Sequence, residues 1–286
     1  MTNDASTDTP TLEVAVTNTA EHHDALTAFF EDYGAHAFYL DGDTLRAYLK
    51  PEQWSEEKET ALRRWLDTHA PDATLSHTRI APRNWNAEWE ASITPQHIGP
   101  FFVRPSWAEE EPPPEAQEII IDPKMSFGTG YHPSTRLVLE LLPELPCNDA
   151  RVLDAGTGTG ILAIAACLQG ARHVDAFDID TWAAENATEN IAINNVADRV
   201  RVMHGSIADT PATPVDIVLA NIHRSVLVDL MPRFAERLVP GGHCICSGCL
   251  PEEGPAMRKA ATEAGFIVAR ERTSRPWWAV HFQYVD

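Results

Sequence analysis

The sequence predicts an α/β protein: a doubly wound domain over residues 118–286, preceded by a small α+β domain over residues 1–80 and a connector over residues 81–117. Three observations carry that expectation. From residue 118 onward, apolar strand-like runs alternate with helical segments, as in a mostly parallel sheet covered by helices on both faces. Within that stretch RVLDAGTGTG, residues 151–160, reads as a strand that ends in a glycine-rich turn and runs into an apolar helix. Upstream, residues 11–80 give the order strand, helix, strand, strand, helix, strand, the split β-α-β arrangement of ferredoxin-like domains.

Taken in order, Leu12, Val14 and Val16 alternate as on a half-buried strand, and Leu26, Phe29, Phe30 and Tyr33 then fall at helical spacing. AHAFYL and TLRAYLK follow, with the Asp41-Gly42 pair between them signalling a hairpin. A second amphipathic helix carries Leu62, Trp65, Leu66 and His69, and ATLSHTRI closes the unit. His22, His23, His69 and His77 read as surface or packing residues, which makes the unit a recognition module. In the connector, Trp85 and Trp89 share a face on a helix, and IGPFFV reads as a strand. AEEEPPPEAQ must be loop, because three consecutive prolines exclude both helix and central strand. The doubly wound domain is expected to place strands near 118–121, 151–155, 173–179, 199–203, 215–221, 243–248, 266–271 and 277–283. Helices should start near 133, 160, 181, 223 and 252. No helix separates the last two strands, so they pair antiparallel at one end of the sheet.

The 286 residues are 44% apolar, enough for two ordinary cores. No run approaches the roughly 18 apolar residues of a membrane span. The start, MTNDASTDTP, is polar and acidic where a secretory signal is basic and then apolar. The expected location is the cytoplasm, with no membrane partner. Five cysteines are an odd number for a disulfide framework, and HCICSGC, residues 243–249, alternates like a buried strand. Reduced thiols and no metal site follow. A net charge of −20 disfavours direct nucleic-acid binding, which rests on a cationic surface. It suits a basic protein partner or adaptation to high salt, since the 22 basic residues include only four lysines.

A turn that leaves a strand, approaches a ligand and starts a helix favours glycine. Gly156, Gly158 and Gly160 form GxGxG with Asp154 two residues ahead, whereas a dinucleotide fingerprint is GxGxxG. The first form suits S-adenosylmethionine, which has no pyrophosphate to seat on a helix N-terminus and whose ammonium gains from the Asp154 carboxylate. A reversed terminal strand points the same way, to the large methyltransferase fold. The next strand, HVDAFDID, ends in Asp178 and Asp180. Asp178, about 20 positions past the turn, is placed to grip a ribose diol, and Asp180 to start the next helix.

Several further segments are distinctive: DPKMSFGTGYHPSTRLVLELL before the glycine strand, VDIVLANIH after it, and NWNAEW and FVRPSW in the connector. With DAGTGTGILAIAA and FDID they strongly resemble the bacterial methyltransferases of ribosomal protein L11, closely over residues 82–286 and by element order before that. The resemblance implies a seven-stranded, Rossmann-like class I S-adenosylmethionine-dependent domain behind a ferredoxin-like domain that captures the ribosomal protein. It also implies methylation of the substrate's α-amine and lysine ε-amines, with Thr135, Gly156, Asp178 and Asn221 as cofactor contacts. Thr157, Gly158 and Thr159 stand where the family commonly has Cys-Gly-Ser. His223 and Arg224 replace small or aliphatic residues, which points to a different substrate mouth. Related DNA-adenine and release-factor methyltransferases have Asn-Pro-Pro-Tyr where this chain has Asn-Ile-His-Arg, and the missing aromatic favours an aliphatic amine.

Methyl transfer asks the protein mainly to align a neutral amine. Asn221 is the candidate catalytic residue, offering its side-chain carbonyl to that amine; its alternative role is to cap the helix starting at 223. Phe127 to Thr135 reads as a loop that closes over bound cofactor, with Phe127 excluding water. His132, just before Pro133, reads as structural rather than as a base. The competing functions are another methyltransferase with the same cofactor, a non-catalytic adaptor for a ribosomal protein, and a nicotinamide dehydrogenase, which the glycine spacing disfavours. Salt adaptation has a direct consequence: the melting temperature rises between dilute buffer and molar potassium chloride, and a thermal scan without that rise contradicts it.

Overall fold

Alternation of buried and exposed side chains builds the first of two units. The computed structural model describes residues 10–81 and 92–285, and its contacts divide the chain at residues 88 and 89. The expected Trp85–Trp89 helical face lies outside the described residues. The first unit runs β1 (Thr11–Thr17), α1 (His23–Asp32), β2 (Ala37–Asp41), β3 (Thr44–Leu49), α2 (Glu56–His69) and β4 (Thr74–Ile80). Its antiparallel sheet has the order β2-β3-β1-β4. Leu12, Val14 and Val16 of β1 meet Leu45, Ala47 and Leu49 of β3 in one core with Leu26, Phe30, Leu62 and Leu66 of the helices. Gly42, with φ of 63°, makes the hairpin turn between β2 and β3.

The second unit begins with β5 (Gln96–Ile98), β6 (Phe101–Arg104) and β7 (Gln117–Ile120), a three-stranded sheet of its own. Two expectations are corrected here. IGPFFV is not one strand, because Gly99 (φ 57°) and Pro100 turn the chain back and β5 pairs antiparallel with β6. The run near 118–121 does not join the large sheet; it is β7, parallel to β6.

The large sheet contains β8 (Arg151–Ala155), β9 (His173–Asp178), β10 (Val200–His204), β11 (Val215–Asn221), β12 (Leu238–Cys249), β13 (Phe266–Ser274) and β14 (Trp277–Tyr284) in the order β10-β9-β8-β11-β12-β14-β13. The first five are parallel, and β14 runs antiparallel to both its neighbours. The reversed last strand is thus inserted one place in from the edge rather than added outside β13. The helices are α3 (Pro133–Leu141), α4 (Ile161–Leu168), α5 (Thr181–Ile193), α6 (Arg224–Arg237) and α7 (Gly254–Glu263). Val152, Ile217, Leu219 and Ile245 pack on one face with Val138, Ile164 and Ile191. Leu153, Val218, Ala220 and Cys246 pack on the other with Leu227, Met231, Phe234 and Met257. Burial on both faces is why these strands read as continuous apolar runs. All five cysteines are free and buried, and burial pushes the Cys249 thiol up to about 12. Among the described residues no helix is long and apolar enough to cross a membrane.

On the side of β7 away from β6, asparagines of α5 stand in for a strand. Asn194 accepts from the Ile120 N–H (2.9 Å) and donates to the Ile120 carbonyl (2.7 Å). Asn190 repeats the pattern on Asp122, at 2.9 and 3.2 Å, and Asn186 donates to the same Asp122 carbonyl at 2.8 Å. Asn190 also donates to the Thr159 carbonyl at 2.9 Å, tying the start of the 122–135 loop to the glycine turn. Its truncation leaves two backbone groups, the Asp122 N–H and the Thr159 carbonyl, without their side-chain partner. Asn190→Ala is therefore expected to cost about 3 kcal/mol in the urea transition of the second unit, and an unshifted midpoint contradicts this role.

Candidate active site

In an open parallel sheet, ligands bind beyond the carboxyl ends of the strands where the strand order reverses. That point lies between β8 and β11, and the chain brings Gly156, Asp178 and Asn221 to the ends of β8, β9 and β11 there. The three glycines of the turn have positive φ, 71°, 56° and 85° at Gly156, Gly158 and Gly160. Protein atoms as well as a ligand demand it: a Cβ on Gly156 would meet Ile222 Cγ2 at 2.3 Å, and one on Gly158 would meet the Phe127 carbonyl oxygen at 2.3 Å. Asp178 is half-buried and accepts from the Gly158 N–H at 2.9 Å and the Asp180 N–H at 3.0 Å. Asp180 caps α5, accepting from the Trp182 N–H at 2.9 Å.

Thr159, fully buried, joins three segments. Its N–H donates to the Phe127 carbonyl at 2.9 Å, its hydroxyl donates to the Gly128 carbonyl at 2.6 Å, and its carbonyl accepts from Asn190. At the other end of the loop the Tyr131 hydroxyl bonds Thr94 Oγ1 at 2.9 Å. The loop expected to close over bound cofactor is thus anchored at Thr159 and at Thr94. Phe127 is 52% exposed, and its backbone carbonyl makes the contact with Thr159.

Beneath the turn, Asp154 is fully buried, and the Thr157 hydroxyl donates to its Oδ2 at 2.6 Å. Its Oδ1 has no partner among the described residues. Burial raises this carboxyl to about 7. Asn221 donates from Nδ2 to Thr135 Oγ1 at 3.1 Å, which leaves its buried Oδ1 unpaired. Thr135 is fully buried behind it. The N-cap of α6 is His223, so Asn221 is not the helix cap. Phe127, His132, Asn221, Ile222, His223 and Trp277 line a cavity of about 260 Å³. His132 caps α3, with its Nδ1 accepting from the Ser134 N–H.

Four contributors escaped the sequence reading. Thr159 and Asn190 act through carbonyls and N–H groups far along the chain. Ile179 and Trp182, 78% and 77% exposed, flank the acidic end of β9, and two large apolar residues beside Asp178 were a visible signal. The donor set fits S-adenosylmethionine: the unpaired Asp154 Oδ1 suits an ammonium, the half-buried Asp178 a ribose diol, and Ile179 with Trp182 a flat base.

Residues 6–284 match the family model described as ribosomal protein L11 methyltransferase. The chain is 38% identical over 254 residues to the ribosomal protein L11 methyltransferase of Chlorobaculum tepidum, across 87% of this chain and 88% of the relative. It is 33% identical over 264 residues to that of Bacteroides fragilis, across 91% and 93%. A crystal structure of ribosomal protein L11 methylase from Lactobacillus delbrueckii subsp. bulgaricus superposes with a TM-score of 0.63 at 28% identity, over 67% of this chain and 99% of that one.

Asp154 makes stability depend on pH. Unfolded it titrates near about 4 and folded at about 7, so between those values the folded state holds the extra proton. Its contribution is most favourable below about 4, declines as pH rises to about 7 and then levels. Urea denaturation against pH should show Asp154→Asn with a flatter slope over that window than the parent; equal slopes contradict the shift.

Proposed function

The chain belongs to the ribosomal protein L11 methyltransferase family, an S-adenosylmethionine-dependent protein methyltransferase family, and on that premise we propose that it methylates the α-amine and lysine ε-amines of ribosomal protein L11 in the cytoplasm. The carrying observation is the unpaired, buried Asn221 Oδ1 on a cavity beside the glycine turn. The first unit, whose element order and sheet order are those of a ferredoxin-like domain, serves as the module that captures the ribosomal protein. Residues 81–117 act as the connector, and no direct contact with nucleic acid is required.

Bound at the turn, S-adenosylmethionine supplies an electrophilic methyl group. Gly156 and Gly158 would let the backbone come close, Asp178 would accept from the ribose hydroxyls, and Asp154, buried beneath the turn, would complement the ammonium. Thr135 holds the Asn221 amide by its Nδ2, so Oδ1 accepts an N–H of the target amine and the lone pair is left free to attack. A lysine of pKa near 10.4 costs about 4.6 kcal/mol to present neutral at pH 7, and an α-amine near 7.8 about 1 kcal/mol, at 1.36 kcal/mol per unit. Two helices help: α3 and α6 begin at His132 and His223 on the cavity wall, and their positive ends disfavour an ammonium there. The α-amine is the easier substrate.

Intact-mass analysis of purified ribosomal protein L11 after incubation with enzyme and cofactor should show gains in whole methyl increments, and an unchanged mass contradicts the proposal. Asn221→Ala should lower kcat about 10²-fold in the same assay; retained turnover removes the orienting role.

A further inference from the structure

Two helices begin at the cavity with the same three-residue device. His132-Pro133-Ser134 opens α3, and His223-Arg224-Ser225 opens α6. In each the histidine Nδ1 accepts from the serine N–H, at 3.4 and 3.3 Å, and lies 2.7 and 2.9 Å from the serine hydroxyl. Both imidazoles line the cavity together with Asn221.

Capping alone does not call for histidine, since serine, threonine, aspartate and asparagine do the same with fewer atoms. What the imidazole adds is a second nitrogen. With Nδ1 acting as acceptor, a neutral ring carries its proton on Nε2. Neither Nε2 has a hydrogen-bond partner among the described residues. Burial lowers the pKa of His132, which keeps it neutral. Its ring is held edge-on by Trp277 at 4.5 Å and Phe127 at 4.9 Å. Each ring therefore presents an N–H donor of set tautomer. A donor cannot serve the reacting amine, whose one lone pair is spent on attack and whose N–H groups need acceptors such as Asn221 Oδ1. The oxygen acceptors that travel with an amine on a polypeptide are the peptide carbonyls.

We infer that His132 and His223 donate from Nε2 to carbonyl oxygens of the polypeptide that flanks the target amine, an inference that rests on the amine-methylation reading above. The site then selects amines carried on a peptide chain over free alkylamines. Wedged between two rings, His132 is the rigid donor. His223, exposed at the start of α6, is the outer one that meets the incoming chain.

The test uses the full-length enzyme and purified ribosomal protein L11 with two substitutions of His223. His223→Asn keeps a capping oxygen in place of Nδ1 and deletes the distal N–H. His223→Gln keeps an N–H near the place of Nε2 and deletes the cap. The expected result is a KM raised about tenfold with preserved Tm in His223→Asn, and a KM within about threefold of the parent despite a lower Tm in His223→Gln. If KM instead follows the Tm order, or neither substitution changes KM, the histidine only caps its helix and the inference is overturned. A short amino-terminal peptide whose first carbonyl is replaced by methylene provides a second readout. It should lose affinity on the parent enzyme and no further on His223→Asn, whereas additive losses overturn the carbonyl assignment. A parent enzyme that leaves both ribosomal protein and peptide unmodified overturns the underlying amine reading, and is distinguishable from either result.

Discussion

The three polar groups of Thr159 tie the glycine turn to two other pieces of chain, and the site depends on that junction. The N–H and hydroxyl hold Phe127 and Gly128, while the carbonyl is held by Asn190. Because the residue is fully buried, no water can replace a lost partner, and displacing any one segment strands a polar group. The glycine turn, the 127–131 loop and α5 consequently behave as one piece. Asp178 belongs to the same piece through its bond to Gly158 N–H. Such a frame sets the cofactor-facing groups before any ligand arrives, which is how a site that works by alignment avoids reorganisation during the reaction.

Charge acts at two ranges. For the proposed basic substrate, a net charge of −20 favours approach from a distance, screened beyond about 10 Å at ordinary salt. At short range the sign inverts. The named cavity residues include no carboxylate, and two helices turn their positive ends toward it. An ammonium is thus attracted to the molecule and disfavoured at the point of reaction. Asp154 is the nearby acid beneath the turn, and its burial holds it close to neutrality unless a cation pairs with the free Oδ1.

Much of this was legible in the sequence because it is written in local periodicity. The strand at 151–155, the helices from 133, 181 and 224, and the capping role of Asp180 all follow from patterns a few residues long. What could not be read depends on partners far apart. The fate of β7 is decided by Asn190 and Asn194, side chains about seventy positions away, so its apolar pattern alone placed it in the wrong sheet. IGPFFV misled because an apolar run does not disclose that Gly99 adopts positive φ. The bond from Thr159 to the Phe127 carbonyl was invisible, because every residue type possesses that carbonyl. The capping histidines were half-legible: His132 was read as structural from Pro133, while nothing in the letters revealed that His223 repeats the same geometry on the same cavity.

In the proposed reaction Asn221, held by Thr135, presents its side-chain oxygen to the nitrogen that receives the methyl group. A crystal structure with sinefungin, in which an amine replaces the transferable methyl, measures this most directly. The sinefungin amine is expected within about 3 Å of Asn221 Oδ1, a hydrogen-bond distance, with the ribose hydroxyls on Asp178. An amine directed away from Asn221, or an Asn221 amide turned so that Oδ1 faces Thr135, contradicts it.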